Sequence, residues 1–175
     1  MPLTPFHWGL PLLAGELLFK PSKQKRRCQL IGVLLASLPD VEGFLALVVG
    51  VEGFSVHGAL HSFTLTLLMG IVATILLTIV SNRAELFTIT RGEQFFYLTS
   101  PLVFHTGLDL LAYPEIPLLW PLDLTNPFAV SSGYQLGIFI GMATFALALG
   151  FSSVKTLNAR RQNTTMAHDP PAQQP

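Results

Sequence analysis

The chain has 175 residues, of which 50% are hydrophobic and only 11% are charged, and its ten Lys and Arg residues balance its ten Asp and Glu residues. A soluble domain carries about 25% charged residues, so this composition favours a membrane protein. The zero net charge gives no indication of a nucleic-acid partner. The single cysteine, Cys28, excludes both an internal disulfide and a CxxC zinc motif.

Five apolar stretches predict about five transmembrane or partly re-entrant helices. The third and fifth stretches carry no charge and are long enough to cross about 30 Å of hydrocarbon. The first is short, and the second is broken by Pro39, which ends or kinks a helix. We therefore predict an all-α multipass protein. The stretches are 6–19, 28–51, 63–80, 95–113 and 134–154.

The basic residues predict the orientation of these helices. All ten lie in 20–27, 83–91 and 155–161, which fall on one side of the membrane if each stretch crosses once. The positive-inside rule places that side in the cytoplasm and the N-terminus outside. We expect a cell inner (cytoplasmic) membrane protein with a single embedded domain at 1–157. The polar, proline-rich residues 158–175 are expected to form a disordered cytoplasmic tail.

Candidate metal ligands gather in the outer half of this predicted bundle. His57 and His61 are four residues apart, as are His105 and Asp109, and such pairs share one face of a helix. Because ionisable side chains are costly inside a membrane, they indicate a functional site. We predict that four segments contribute to a shared polar site. The candidate residues are His7, Asp40, Glu42, His57, His61, His105 and Asp109.

Each of these residues also has a structural interpretation. His7, His57 and His61 are also compatible with positions at the membrane interface. Asp109 can reach the outer surface from near its helix end, and Asp40 can cap the helix that follows it. None of these alternatives predicts that the residues share one face.

The order of motifs resembles the YdjM-like family, described as membrane-bound metal-dependent hydrolases and as LexA-binding, inner-membrane-associated hydrolases. The motifs are FHWG, SLPDVEGF, VHGALHSF and FHTGLDLLAYPEI, followed by LLWPL and TNPF, and they cover about residues 5–130. The resemblance implies that all seven candidates belong to the site. Two positions depart from the usual pattern: Glu42 stands where many members have Asp, and Gly58 where many have Arg.

These residues favour a hydrolase in which a metal-activated water attacks an ester or phosphoester near the outer membrane face, with a lipid-like substrate. Mixed histidine and carboxylate ligands suit Zn²⁺, with Mn²⁺ or Fe²⁺ as alternatives. The set is large enough for two ions, or for one ion with Asp40 or Glu42 as the catalytic base. The alternative is a non-enzymatic membrane protein with a structural metal clamp or a metal-carrier role.

Overall fold

The computed structural model describes residues 4–20, 23–50, 58–122 and 126–168, and this part of the chain is helical without a β-strand. 3₁₀ turns at Thr4–Trp8 and Ala59–His61 precede α1 and α4, and a π-helix at Ser100–Thr106 joins α5 to α6. The all-α prediction is therefore confirmed. The α-helices are α1 (Gly9–Leu18), α2 (Lys23–Ala36), α3 (Val41–Val49), α4 (Phe63–Arg83), α5 (Arg91–Thr99), α6 (Gly107–Ala112) and α7 (Gly133–His168).

Helix α4 buries its small and polar residues and exposes its large apolar ones. Thr66, Gly70 and Thr74 are buried at intervals of four residues, and Ser81 continues the same face. Gly70 lies so close to the backbone of Leu98 that a Cβ atom there would collide with it. Such an arrangement is typical of a helix that faces lipid, because small residues then form the contacts between helices. The exposed side chains are Leu67, Leu68, Ile71, Val72, Ile75, Leu76, Ile79 and Val80.

Helix α7 crosses the N-terminal segment at a similarly close distance. A Cβ atom at Gly141 would lie 2.5 Å from the backbone oxygen of Phe6, and one at Gly9 would collide with the backbone of α7. Glycine is needed on both sides of this contact because no side chain fits between the two backbones. This crossing brings the 3₁₀ turn Thr4–Trp8 against the bundle.

Two helices of the described chain are long and apolar enough to cross a membrane, α4 and the part of α7 from Gly133 to Ala159. The sequence predicts about five crossings. The other three stretches form shorter or interrupted helices: α1 has 10 residues, and a turn at 37–40 separates α2 from α3. The predicted break at Pro39 is confirmed, although α2 already ends at Ala36.

The fourth apolar stretch is interrupted by the π-helix. Pro101 lies at its start and lacks the N–H that a regular α-helix would use, so the helix departs from its regular hydrogen bonding here. The π-helix lies at the centre of the bundle, where it contacts α2, α4 and α6, while α6 packs on α7. Its position allows His105 and Asp109 to face residues from several other elements.

The disordered tail expected at 158–175 stays a prediction, and the chain is described as far as His168. Residues 158–168 continue α7 as a helix, while 169–175 lie outside the described residues. The predicted tail therefore begins inside a helix, because the run after residue 157 contains no proline or glycine until Pro170.

Candidate metal centre

Five of the predicted site residues converge at one end of the bundle. They come from five separate places in the fold, and each is at least nine-tenths buried. They are His7 in the first 3₁₀ turn, Asp40 just before α3, His61 in the second 3₁₀ turn, His105 in the π-helix and Asp109 in α6.

Local hydrogen bonds hold these segments in place. Trp8, the neighbour of His7, donates its Nε1–H to Ser37 Oγ at 3.0 Å, which ties the first turn to the break between α2 and α3. Ser62, the neighbour of His61, is the N-cap of α4 and accepts the backbone N–H of Leu65 at 3.2 Å. These bonds explain why His7 and His61 lie at helix starts facing the break that carries Asp40.

Asp109 uses its two carboxylate oxygens toward different histidines. Its Oδ1 lies 3.5 Å from His7 Nε2, and its Oδ2 lies 3.1 Å from His105 Nε2 and 3.8 Å from His61 Nε2. Asp40 Oδ1 lies 3.6 Å from His105 Nε2 and 3.8 Å from His61 Nε2. The potential ligand atoms of the five residues thus lie in two neighbouring groups that share His105.

These separations fit a bound cation. Two groups of potential ligands emerge, His7–His105–Asp109 and Asp40–His61–His105, and within each group the ligand atoms lie within 4.8 Å of one another. Atoms bound tetrahedrally at about 2.1 Å from Zn²⁺ lie ~3.4 Å apart, close to the nitrogen–oxygen distances of this site. The His7 and His105 rings stack with centroids 4.0 Å apart, so both can approach from one side.

Hydrogen bonding gives a second, independent indication. Within the described part of the chain, His105 Nε2 and Asp109 Oδ1 lack a hydrogen bond of acceptable geometry, although each has a potential partner atom 3.1 or 3.5 Å away. Buried polar atoms without such a bond cost about 1–3 kcal/mol each. A cation between these residues would coordinate His105 Nε2 and Asp109 Oδ1, and the residues present therefore fit a metal.

Glu42 lies on the Nδ1 side of His61, whereas Asp40 and Asp109 lie on its Nε2 side. Its Oε2 accepts the backbone N–H of Leu60 at 3.1 Å and lies 3.6 Å from His61 Nδ1. A carboxylate on the second ring nitrogen of a ligating histidine fixes its tautomer and orientation. Burial lowers the pKa of His61, but the carboxylates of Asp40 and Glu42 outweigh burial and raise that pKa to about 9.

The outcome for the predicted residues is therefore mixed. The structure brings together His7, Asp40, His61, His105 and Asp109, and it places Glu42 beside His61 rather than among the potential ligands. His57 lies outside the described residues. The sequence reasoning missed the hydrogen bond between Trp8 and Ser37, although the motifs FHWG and SLPDVEGF contain these two residues.

Two charged clusters lie at the opposite ends of α2 and α4 from this site. Glu16, only 2% exposed, pairs with Lys25 and Lys155, as expected for a buried polar contact. Arg27 pairs with Glu93 of α5, and the guanidinium also lies 3.8 Å from the centroid of the Phe87 ring. The helical bundle therefore carries polar clusters at both ends. The potential metal ligands lie at one end, and the ion pairs of the basic residues lie at the other.

Comparisons with known proteins agree with the resemblance of the motifs. The chain matches the family described as YdjM inner membrane protein over residues 1–167. No curated protein and no solved structure matches it. The match covers all of the described elements except His168, the last residue of α7. The chain therefore belongs to the YdjM inner membrane protein family.

Proposed function

We propose that the protein is a metal-dependent hydrolase of the inner membrane that cleaves an ester or phosphoester of a lipid-like substrate. One observation carries the proposal: three histidines and two carboxylates from five parts of the fold are buried together, in two overlapping groups whose potential ligand atoms lie within 4.8 Å of one another. Burying so many ionisable groups is costly unless they bind a ligand together.

The ligand set favours Zn²⁺, and Mn²⁺ or Fe²⁺ also accept histidine and carboxylate ligands. His7, His61, His105 and Asp109 would hold the metal, and Asp40 lies beside them, next to His61 and His105. Because the two oxygens of Asp109 face different histidines, this carboxylate is suited to bridge two ions. One or two ions per chain are therefore consistent with the arrangement.

The proposed chemistry divides the carboxylates between two roles. A bound divalent cation acts as a Lewis acid and lowers the pKa of water toward 7. Asp40 lies at the edge of the site with 11% of its side chain exposed, and we assign it as the base that accepts a proton from the attacking water. Glu42 positions His61 through Nδ1. His57, which the family pattern includes, remains a further proposed ligand.

A lipid-like substrate is supported by an apolar groove between α2 and α4. The groove has a volume of about 680 Å³ and begins beside the site, at Leu38, two residues before Asp40. It continues along both helices to Ile31 and Val80. An acyl chain in this groove would place its ester or phosphoester end near Asp40.

The same geometry supports the proposed orientation. Helix α4 has 21 residues and is about 31 Å long, with His61 before its start and Arg83 at its end. Helix α2 likewise begins at the basic residues and ends near Asp40. With the basic end in the cytoplasm, the metal centre lies in the outer half and the N-terminus lies outside. We propose that the interrupted helices complete about five passages around the site.

The alternative of a closed structural clamp differs in solvent access. His7, His61, His105 and Asp109 are at most 1% exposed, whereas the side chain of Asp40, which faces the same histidines just before α3, is 11% exposed. Solvent can therefore reach the site on the side of α3, which favours a catalytic site that exchanges water and substrate over a closed clamp. A metal carrier would need ligands along the whole crossing. Among the described residues, the cytoplasmic half carries Glu16, Cys28 and Glu93. The two carboxylates are paired with lysine or arginine, and the three residues form no second group with metal-ligand spacing.

The test combines metal analysis with turnover. Purified wild-type protein should contain one or two transition-metal ions per chain, and His61→Ala or Asp109→Asn should lower that content at least tenfold. Asp40→Asn should retain metal but lose hydrolysis of a short-chain phospholipid or an aryl phosphodiester. His168→Ala, at the far end of α7, is the matched histidine control and should change neither value. Metal content that is negligible in wild type, or unchanged in both ligand variants, would refute the metal centre.

A further inference from the structure

A basic cavity lies between α2 and α7 at the end of the bundle opposite the metal centre. Its volume is about 600 Å³. Residues of α2 line one wall and residues of α7 the other. Four basic side chains and two hydroxyl groups contribute to the lining: Lys23, Lys25, Arg26, Lys155, Ser152 and Thr156.

Glu16 fixes two of the four basic groups in position. Lys25 Nζ lies 2.6 Å from Glu16 Oε2, and Lys155 Nζ lies 2.8 Å from Glu16 Oε1. Lys155 Nζ also lies 3.4 Å from the backbone oxygen of Glu16. One buried carboxylate thus holds ammonium groups from two helices beside the cavity, and it neutralises only one of the four positive charges of the lining.

We propose that this cavity binds a phosphate group, carried by the headgroup of an anionic phospholipid of the cytoplasmic leaflet. Phosphate accepts several charge-assisted hydrogen bonds at once, and Lys, Arg and hydroxyl groups supply them. Basic pockets between helices on the cytoplasmic side are suited to such headgroups. Lys23 and Arg26 are exposed and can turn toward the ligand, while Lys25 and Lys155 are already in place.

The surroundings favour a lipid over a free ion. The α7 surface next to the cavity exposes Phe151 and Val154, which can contact an acyl chain while the headgroup enters the cavity. Inorganic phosphate has the same recognition chemistry but lacks the chains. This site is separate from the proposed metal centre, and its test does not depend on hydrolysis.

The experiment measures the thermal stability of the detergent-purified protein as dioctanoyl phosphatidylglycerol is added, with dioctanoyl phosphatidylcholine and inorganic phosphate in parallel. We expect stabilisation by phosphatidylglycerol and little by phosphatidylcholine or phosphate. Lys23→Gln/Arg26→Gln removes two charges from the cavity and leaves the Glu16 ion pairs intact. Its apparent Kd for phosphatidylglycerol should rise about thirtyfold, on the basis of roughly 1 kcal/mol per basic residue.

Arg83→Gln/Arg91→Gln is the matched control, because it removes two exposed basic residues outside the cavity. It should leave the apparent Kd within about twofold of the wild-type value, since neither residue lines the cavity. An equal loss in both double variants would show general electrostatic attraction and would overturn the site. An unchanged Kd in Lys23→Gln/Arg26→Gln would also overturn it. Equal stabilisation by inorganic phosphate, lost in the same variant, would overturn the lipid as the source and identify the free ion.

Discussion

Removing the carboxylate of Glu93 should destabilise the protein by about 2.5 kcal/mol. Glu93 is fully buried and accepts hydrogen bonds from the backbone N–H of Thr90 at 2.8 Å, from Thr90 Oγ1 at 2.9 Å and from Arg27 Nε at 3.2 Å. Glu93→Ala loses the capping box at the start of α5, which contributes ~1 kcal/mol. It also loses the charged hydrogen bonds with Arg27, at ~1.5–3 kcal/mol. The lower value applies because 21% of the Arg27 side chain is exposed to water.

The measurement is the free energy of unfolding in mixed micelles of mild detergent and SDS. Glu85→Gln is the control, since Glu85 lies in an exposed turn and its loss of charge should change stability by less than about 0.5 kcal/mol. A loss below about 1 kcal/mol for Glu93→Ala would refute the reasoning. It would mean that Arg27 and the α5 terminus find other partners.

The same pair predicts a dependence on pH. Burial raises the pKa of Glu93, but hydrogen bonds from Thr90 and Arg27 outweigh burial and hold the pKa below its ordinary value of 4.5. A carboxyl group with a lowered pKa in the folded state stabilises that state above the unfolded-state pKa. This stabilisation should therefore be present at neutral pH and decrease as the pH falls below about 4.5. Glu93→Gln should show less of this acid-dependent loss.

Three further predictions follow from single positions. Glu42→Gln should weaken metal affinity about 10- to 100-fold, because Glu42 orients His61 without joining the ligands. A saturating metal concentration should restore occupancy. Unchanged affinity in a metal titration would contradict this prediction. Glu85 has a positive φ of 50° just after α4, so Glu85→Gly should raise the free energy of unfolding by about 0.5–1 kcal/mol, measured as above. Gly141→Val should lower stability by at least about 2 kcal/mol, because the side chain would displace Phe6 from α7; a neutral result would show that the crossing is looser.

The candidate site could be predicted from the sequence to a large extent because each residue type is unusual in its segment. A histidine or carboxylate within an apolar run is costly, so His105 and Asp109 are conspicuous without any knowledge of the fold. The expected grouping of the candidate residues followed from the predicted order and orientation of the membrane spans. The separate position of Glu42 did not, because the spacing of Asp40 and Glu42 alone does not tell which carboxylate faces the histidines.

The helix lengths were harder to predict. Hydropathy over 95–113 shows one apolar stretch, but Pro101 changes the helix type within it, and the resulting α5, π-helix and α6 are each short. Contacts between distant segments, such as those of Glu16 with Lys25 and Lys155, depend on how the helices pack. Sequence periodicity contains little information about such pairs, although a charge inside an apolar stretch indicates that a partner must exist.

The site can assemble only if the segment that contains the π-helix, Ser100–Thr106, keeps its length. Each residue of an α-helix turns the chain by about 100°. A deletion of one residue within Ser100–Thr106 that restored a regular helix would rotate α6, and Asp109 with it, by roughly that angle relative to α5. Asp109 would then no longer face His7 and His61, even though the sequence still contained both histidines and the aspartate. Substitutions on the exposed surface of α5, such as at Phe95, should be tolerated far better than a change of one residue in length.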